Sequence, residues 1–356
     1  MSNDKRNLVI AAVGDDSLHR HWLVERPTRQ FDVLLVYYGA KENRYESESD
    51  FYVAEKGLKW PLLSIASKRF AMEIASYDAI WCPDDDLLID ALSVNALFDW
   101  FHKLELNLAQ PAMAEGSHVW FQTTRQCPYA IARFVDLVEL GAPVFSQEVF
   151  QRLAWTFSES ETGWGLDLLW GRLLAYEKMA IIHTVAFTHT RPYFAGGSYG
   201  AQRPLHDAKR LIEKYAMKSE LMAGDEVLST ILRPDAVEYI PRLFEHDLPN
   251  ALAEKSEVAR AIGTRFSVAV SGVGEWLIDA SPSGPSCLTG RGDADCSFTF
   301  ASTDAFFKYL EIPRKRMLGL FLSNDLEISG RETEARKLPR VFEMLFPYQH
   351  TDIEFV

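Results

Sequence analysis

The stretch Tyr77-Asp78-Ala79-Ile80-Trp81-Cys82-Pro83-Asp84-Asp85-Asp86-Leu87 is a short apolar run that ends in three consecutive carboxylates. In an open α/β sheet, ligands bind beyond the carboxyl ends of the strands. A strand that delivers acids to its own tip is therefore a candidate cation site. Adjacent carboxylates repel one another and are costly to bury without a cation. Oxygen donors of this kind suit Mg²⁺ or Mn²⁺, which in turn suit phosphates. Taken alone, the triplet is equally readable as a solvated acidic loop.

Upstream, Asn7 to Gly14 reads as a buried strand ending in a glycine turn, and Phe31 to Gly39 as a second. Continuous apolar runs of this length fit parallel strands covered on both faces. Leu62 to Ser76 has helical spacing and leads into the acidic strand. A β-β-α-β beginning of this kind fits a nucleotide-binding α/β domain. There is no GxGxxG and no GxxxxGK[ST], so a dinucleotide fold or P-loop is unsupported.

Downstream, the pattern predicts a helix from Ala91 to Leu108, a turn at Gln110-Pro111 and a short strand at His118 to Phe121. Ala130 to Leu140 fits either a strand or a helix. Pro143 to Ser146 precedes a helix near Gln147 to Phe157, with Ser146 as its N-cap. Next comes Glu161-Thr162-Gly163-Trp164-Gly165-Leu166-Asp167, then a helix from Leu168 to Glu177. Two glycines around a tryptophan let backbone approach a ligand and offer an aromatic face for stacking. Asp167, at the entry to that helix, reads either as a cap or as a functional acid. Met179 to His189 is a further buried strand ending in a histidine, a residue that more often packs than ligates.

The 356 residues suggest two domains, and 47% apolar residues supply ample core. A net charge of −13 disfavours nucleic acid and anionic membranes as partners. No apolar run approaches the roughly 20 residues needed to span a bilayer. The polar start, Met1 to Arg6, is unlike a secretory signal. Cys82, Cys127, Cys287 and Cys296 form no CxxC pair, which points to free thiols and a cytoplasmic location.

The order of Asp84-Asp85-Asp86, Gly163-Trp164-Gly165-Leu166-Asp167 and His189 resembles the metal-dependent GT-A glycosyltransferases, particularly the galactosyltransferase-like ones. It resembles still more closely the glycosyltransferase-like family catalogued as domain of unknown function 707, from Asn7 to about Phe194. Supporting landmarks are Val36-Tyr37-Tyr38-Gly39, Lys59-Trp60, Gln110-Pro111 and Pro143-Val144-Phe145-Ser146. Asp84-Asp85-Asp86 stands where that family usually reads acid-Glu-acid. His183 stands where it often has an aspartate, which leaves His183 without an assigned role. The resemblance implies Mn²⁺ or Mg²⁺ held by Asp84, Asp86 and His189. It places Val13, Gly14, Lys59, Asp84 and Asp85 on the donor side and Trp164 and Gly165 on the acceptor side. Asp167 becomes the general base, with Lys68 and Arg69 as weaker diphosphate contacts. The donor expected is a nucleotide-sugar, a UDP-sugar first, with inversion by analogy and an unknown acceptor.

Residues 236 to about 348 resemble the sterol carrier protein type two family. The resemblance rests on Ala294 to Phe300, the helix Thr303 to Leu310 with Thr303 as its cap, Leu322 to Gly330, and a closing helix Ala335 to Phe346. It implies an α+β fold around an apolar tunnel and a possible lipid or other apolar ligand. Phe306, Phe307, Met317, Leu320 and Phe321 could line that tunnel, although buried apolar residues are ordinarily core. Before this part, Pro204 to Ala223 reads as an amphipathic helix closing the first domain, and Val237 to Ile262 as helical.

The expected architecture is therefore α/β. A GT-A-like domain with a mostly parallel central sheet, residues 1–223, precedes a smaller sterol-carrier-like α+β domain, residues 236–356. Two other functions stay open: a lipid- or metabolite-binding protein with a catalytically inactive first domain, and a metal-dependent phosphohydrolase.

Overall fold

The computed structural model describes residues 6–23, 28–193, 202–217, 226–311 and 313–345. It divides into two compact units, Met1–Leu232 and Arg233–Val356.

The first unit is a ten-stranded sheet with helices. Its strands are β1 (Asn7–Val13), β2 (Asp32–Tyr37), β3 (Phe51–Ala54), β4 (Ala79–Trp81), β5 (Leu87–Leu88), β6 (Leu108–Met113), β7 (Ala130–Val135), β8 (Val144–Ser146), β9 (Met179–His189) and β10 (Val227–Leu232). The order across the sheet is β10-β7-β9-β6-β8-β4-β1-β2-β3, with β5 paired to β9. Every residue of β1 is buried. Leu8, Ile10 and Ala12 enter one apolar cluster, while Val9, Ala11 and Val13 enter another. Side chains alternate across a strand, so both faces of β1 are covered, as its unbroken apolar run requires.

The sheet is mixed, which corrects the mostly parallel arrangement expected. Pairings β1–β2, β1–β4, β2–β3 and β6–β9 are parallel. Pairings β4–β8, β6–β8, β7–β9, β7–β10 and β5–β9 are antiparallel. A strand buried on both faces has the same composition in either direction, so its sequence carries no sign of orientation. Gln110-Pro111 lies inside β6 rather than in a turn. Pro111 is tolerated because β8 pairs β6 only at Leu108 and Ala109, leaving the proline's edge unladdered. His118 to Phe121 is loop, and Ala130 to Val135 is strand.

The helices are α1 (Lys59–Arg69), α2 (Ala71–Ile74), α3 (Ala91–Lys103), α4 (Gln147–Leu153), α5 (Leu166–Leu173) and α6 (Gln202–Lys214). Ser146 caps α4, its hydroxyl accepting the Val149 N–H at 3.3 Å. The expected continuation of α6 through 218–223 lies outside the described residues.

The second unit has a five-stranded sheet, β11 (Thr264–Val270), β12 (Gly274–Ala280), β13 (Ser286–Thr289), β14 (Cys296–Phe300) and β15 (Leu326–Gly330), in the order β13-β12-β11-β14-β15. Phe306 packs with Phe244, Phe300 and Phe342 as core, and Phe307 and Leu320 are buried too. Phe321 is exposed. The helix Thr303–Glu311 is capped by Ser302, whose hydroxyl accepts the Ala305 N–H, rather than by Thr303. The closing helical region ends at Glu343, and Phe346 lies outside the described residues. No described helix is long and apolar enough to cross a membrane. All four cysteines are unpaired.

Candidate metal and transfer site

The site forms at the tip of β4. Beyond Trp81 the chain is stitched to residues 141–143: Cys82 N–H donates to the Pro143 carbonyl at 2.8 Å, and Asp84 N–H to that of Gly141 at 2.7 Å. The next two residues after the triplet form β5, whose Leu87 pairs with His189 and Leu88 with Thr188. This small antiparallel ladder brings the end of β9 to the acids. Thr190 locks it by donating its N–H and hydroxyl to the Asp86 carbonyl.

Three ligand atoms, one each from Asp84, Asp86 and His189, lie within 4.8 Å of one another. His189 Nε2 is 3.5 Å from Asp86 Oδ2. The Nδ1 of His189 lies 3.1 Å from the His118 carbonyl, which can only accept, so Nδ1 carries a proton and Nε2 is the ring nitrogen whose lone pair the neutral imidazole would offer to a cation. Asp86 is buried; desolvation first, then the charge of Asp84, pushes its carboxyl up to about 6. Two carboxylates and a correctly tautomerised imidazole, partly desolvated and mutually repelled, make a donor set that fits Mn²⁺ or Mg²⁺.

The middle acid does something else. Asp85 Oδ2 accepts the Gly14 N–H at 2.8 Å and the Tyr38 hydroxyl at 2.9 Å, and its Oδ1 accepts from Arg191 at 3.2 Å. Asp85 thus ties the ends of β1, β2 and β9 together, and it consumes the Gly14 N–H expected on the donor side. Val13 is fully buried. Lys59 Nζ donates to Asp84 Oδ1 at 2.7 Å and to the carbonyls of Leu140 and Gly141, so its three donors orient Asp84 rather than reach outward. Lys68 and Arg69 are exposed at the far end of α1, about 14 Å of helix rise from Lys59, and do not join the site.

The Gly163-Trp164-Gly165 loop is shaped by packing. Gly163 (φ +87°) leaves no room for a Cβ, which would lie 2.2 Å from Trp60 Cδ1. At Gly165 (φ +88°) a Cβ would meet the Ala208 backbone at 3.0 Å. On their Cβ sides the glycines therefore admit Trp60 and α6, with Gly165 packed against Ala208 and Leu211. Asp207 of α6 holds the loop by accepting from the N–H and hydroxyl of Thr162. Asp167 lies in the first turn of α5, accepting the Leu168 N–H at 3.0 Å. Its carboxyl is buried, and desolvation pushes it up to about 6 against the pull of backbone N–H groups.

Several groups at the site carry no sequence motif. Trp120 packs edge-on against Trp164 at 5.1 Å and against Tyr193 at 5.6 Å, and Tyr193 lies 5.0 Å from the His189 ring. An aromatic ladder thus connects the tryptophan loop to the metal-ligand set. Glu139 is buried, with burial pushing its carboxyl up to about 8, and it feels the charges of Asp167, Asp84 and Lys59. Its only sequence signal is an acid flanked by Leu137, Val138 and Leu140. His183 accepts the Cys127 N–H at Nδ1 (3.0 Å) and is buried and held neutral by desolvation, a structural residue of β9.

No family model matches the chain, and no curated protein is similar to it. Among solved structures, residues 1–349 of S. aureus TarS in complex with UDP-GlcNAc are 13% identical, over 72% of this chain and 78% of that one, with a TM-score of 0.41. GalNAc-T7 with UDP, GalNAc and Mn²⁺ is 11% identical, over 60% of this chain and 48% of that one, with a TM-score of 0.43. The UbiJ-SCP2 ubiquinone synthesis protein is 22% identical, over 32% of this chain and 93% of that one, with a TM-score of 0.24. Likenesses this distant fix no activity.

Proposed function

We propose that the first unit is a metal-dependent glycosyltransferase that moves a sugar from a nucleoside-diphosphate sugar, a UDP-sugar first, to an acceptor hydroxyl. The observation that carries this reading is the convergence of Asp84, Asp86 and His189 Nε2, together with a separate buried acid, Asp167, whose charge and that of Asp84 bear on the same Glu139. Asp84, Asp86 and His189 would hold Mn²⁺ or Mg²⁺, which when bound supplies positive charge against the departing diphosphate.

The protein's own groups divide the remaining work. Lys59 fixes Asp84, and the hydrogen bond to the His118 carbonyl fixes His189, so the ligand set is preorganised. Trp164, braced by Trp120, gives a flat apolar face on which a sugar ring can stack. Asp167 Oδ takes the proton from the attacking hydroxyl; a carboxyl raised to about 6 is ionised at neutral pH yet more basic than a solvated one. An acid that removes the acceptor proton on the side opposite the leaving diphosphate implies inversion at the sugar carbon.

The test is calorimetric titration of the full chain with UDP and UDP-sugars, with and without Mn²⁺, followed by turnover with and without candidate acceptors. Metal-dependent UDP-sugar binding with acceptor-dependent release of UDP supports transfer. Release that is indifferent to acceptor indicates a phosphohydrolase instead.

A further inference from the structure

Glu139 is a further buried acid, one for which the transfer chemistry above has no use. It lies in the segment between β7 and β8, two residues from Gly141, and that same segment supplies the carbonyls that hold Lys59 and Asp84. Its backbone N–H donates to the side-chain oxygen of fully buried Gln110 at 2.6 Å. Its Oε1 accepts the Tyr193 hydroxyl at 2.7 Å. Its Oε2 is buried and has no hydrogen-bond partner among the described residues. A carboxyl oxygen in that state is costly, because buried polar atoms are almost always paired. Glu139 is thus fixed at its backbone and at one oxygen, with the other oxygen left to be satisfied.

Contacts place this carboxyl between the two ends of the site: Tyr193, which it holds, lies 5.0 Å from the His189 ring at the metal end and 5.6 Å from Trp120, which packs on Trp164 at the other end. The side chains whose charges bear on Glu139, beyond its hydrogen-bonded Tyr193, are Asp167, Asp84 and Lys59. One belongs to the end that would receive the acceptor and two to the end that would receive the diphosphate. In an in-line displacement the transferred sugar occupies the space between those ends, and Glu139 is tied to both, to the metal end through Tyr193 and the Gly141 carbonyl and to the tryptophan loop through Trp120.

We propose that Glu139 is a specificity-determining residue that binds a hydroxyl of the donor's sugar through Oε2, with Tyr193 and Gln110 as the residues that position it. The inference rests on the glycosyltransferase reading and adds to it which side chain selects the sugar. A buried polar group that a correct sugar pairs and a wrong one leaves unpaired discriminates against the wrong one.

The experiment measures dissociation constants by calorimetry, with Mn²⁺, for UDP, UDP-glucose, UDP-galactose and UDP-N-acetylglucosamine. It compares the wild-type chain with Glu139→Leu, which keeps bulk while removing both oxygens, and with Glu139→Ala. Both variants should bind UDP within about twofold of wild type. They should weaken the preferred UDP-sugar by roughly 10- to 100-fold, the loss expected of one hydrogen bond to a carboxyl, and should compress the spread among the three sugars. Equal weakening of UDP and UDP-sugar in either variant would show a purely structural acid and overturn the assignment. So would an unchanged sugar spread. If the wild-type chain binds none of the four, the glycosyltransferase reading falls, and this assignment with it. If it binds them and the variants discriminate as before, only the Glu139 assignment falls.

Discussion

Replacing Asp167 by asparagine should make the protein more stable and less active at once. The Asp167 carboxyl is pushed up from 3.8 to about 6, chiefly by desolvation. That gap corresponds to about 3 kcal/mol that folding loses when the group ionises. Below the unfolded value the acid is protonated in both states and costs nothing. As pH rises from about 4 to about 6 the unfolded chain releases its proton first, and stability falls; above about 6 the full penalty is present. Asparagine carries no charge and can still accept the Leu168 N–H, so Asp167→Asn should exceed wild type by up to about 3 kcal/mol at pH 8, with the difference closing toward pH 4. At roughly 2–4 °C per kcal/mol for a unit of this size, the melting temperature should rise by up to about 6–12 °C at pH 8. Turnover should drop by roughly 10² to 10⁴ as the proton acceptor is lost, with donor affinity nearly unchanged. Thermal melts across pH 4.5 to 8 and initial rates on the same preparation decide the matter. Wild-type turnover, or a melting temperature lowered at every pH, would refute the reasoning and return Asp167 to the role of a helix-terminus anchor.

Asp86→Ala should abolish the Mn²⁺-dependent thermal shift, which for wild type amounts to about 2.7 kcal/mol at a hundredfold excess over the dissociation constant; an unchanged shift removes Asp86 from the ligand set. Gly163→Ala places a Cβ 2.2 Å from Trp60 Cδ1 at φ +87° and should cost roughly 2–4 kcal/mol, whereas Gly116→Ala, at φ +85° with nothing within 4 Å, should cost only about 1–2 kcal/mol; denaturant unfolding compares the two. Residues 1–232 and 233–356, expressed separately, should each unfold cooperatively, as units with cores of their own; non-cooperative melting of both pieces would mean a shared core.

Much of the candidate site was legible because its residues sit where local pattern changes. The apolar run of β4 stops at Asp84, and the run of β9 stops at His189. Ends of apolar runs are ends of strands, and strand ends are where an α/β sheet exposes chemistry. The glycines around Trp164 were visible but their reason was not: they admit Trp60 and Ala208, partners about a hundred and about forty positions away in the chain. Trp120, Tyr193 and Arg191 stand in no motif and reach the site only because β9 and its neighbouring loops bring them there.

The sequence by itself determined that β1 is buried on both faces, that three acids follow a strand, and that a GWG loop precedes a helix, since each of these is fixed by residues within one or two turns of one another. Only the tertiary structure decided which acid does what. Asp84, Asp85 and Asp86 are chemically identical, yet Asp85 is taken up by Gly14, Tyr38 and Arg191, whereas Asp84 and Asp86 meet His189. The difference arises because successive side chains leave a turn in different directions, and the groups waiting in each direction come from strands distant in the chain. The direction of β8, the place of Pro111 inside a strand and the half-satisfied carboxyl of Glu139 belong to the same class. Composition records that a residue prefers burial or charge; pairing and orientation are settled by long-range contacts.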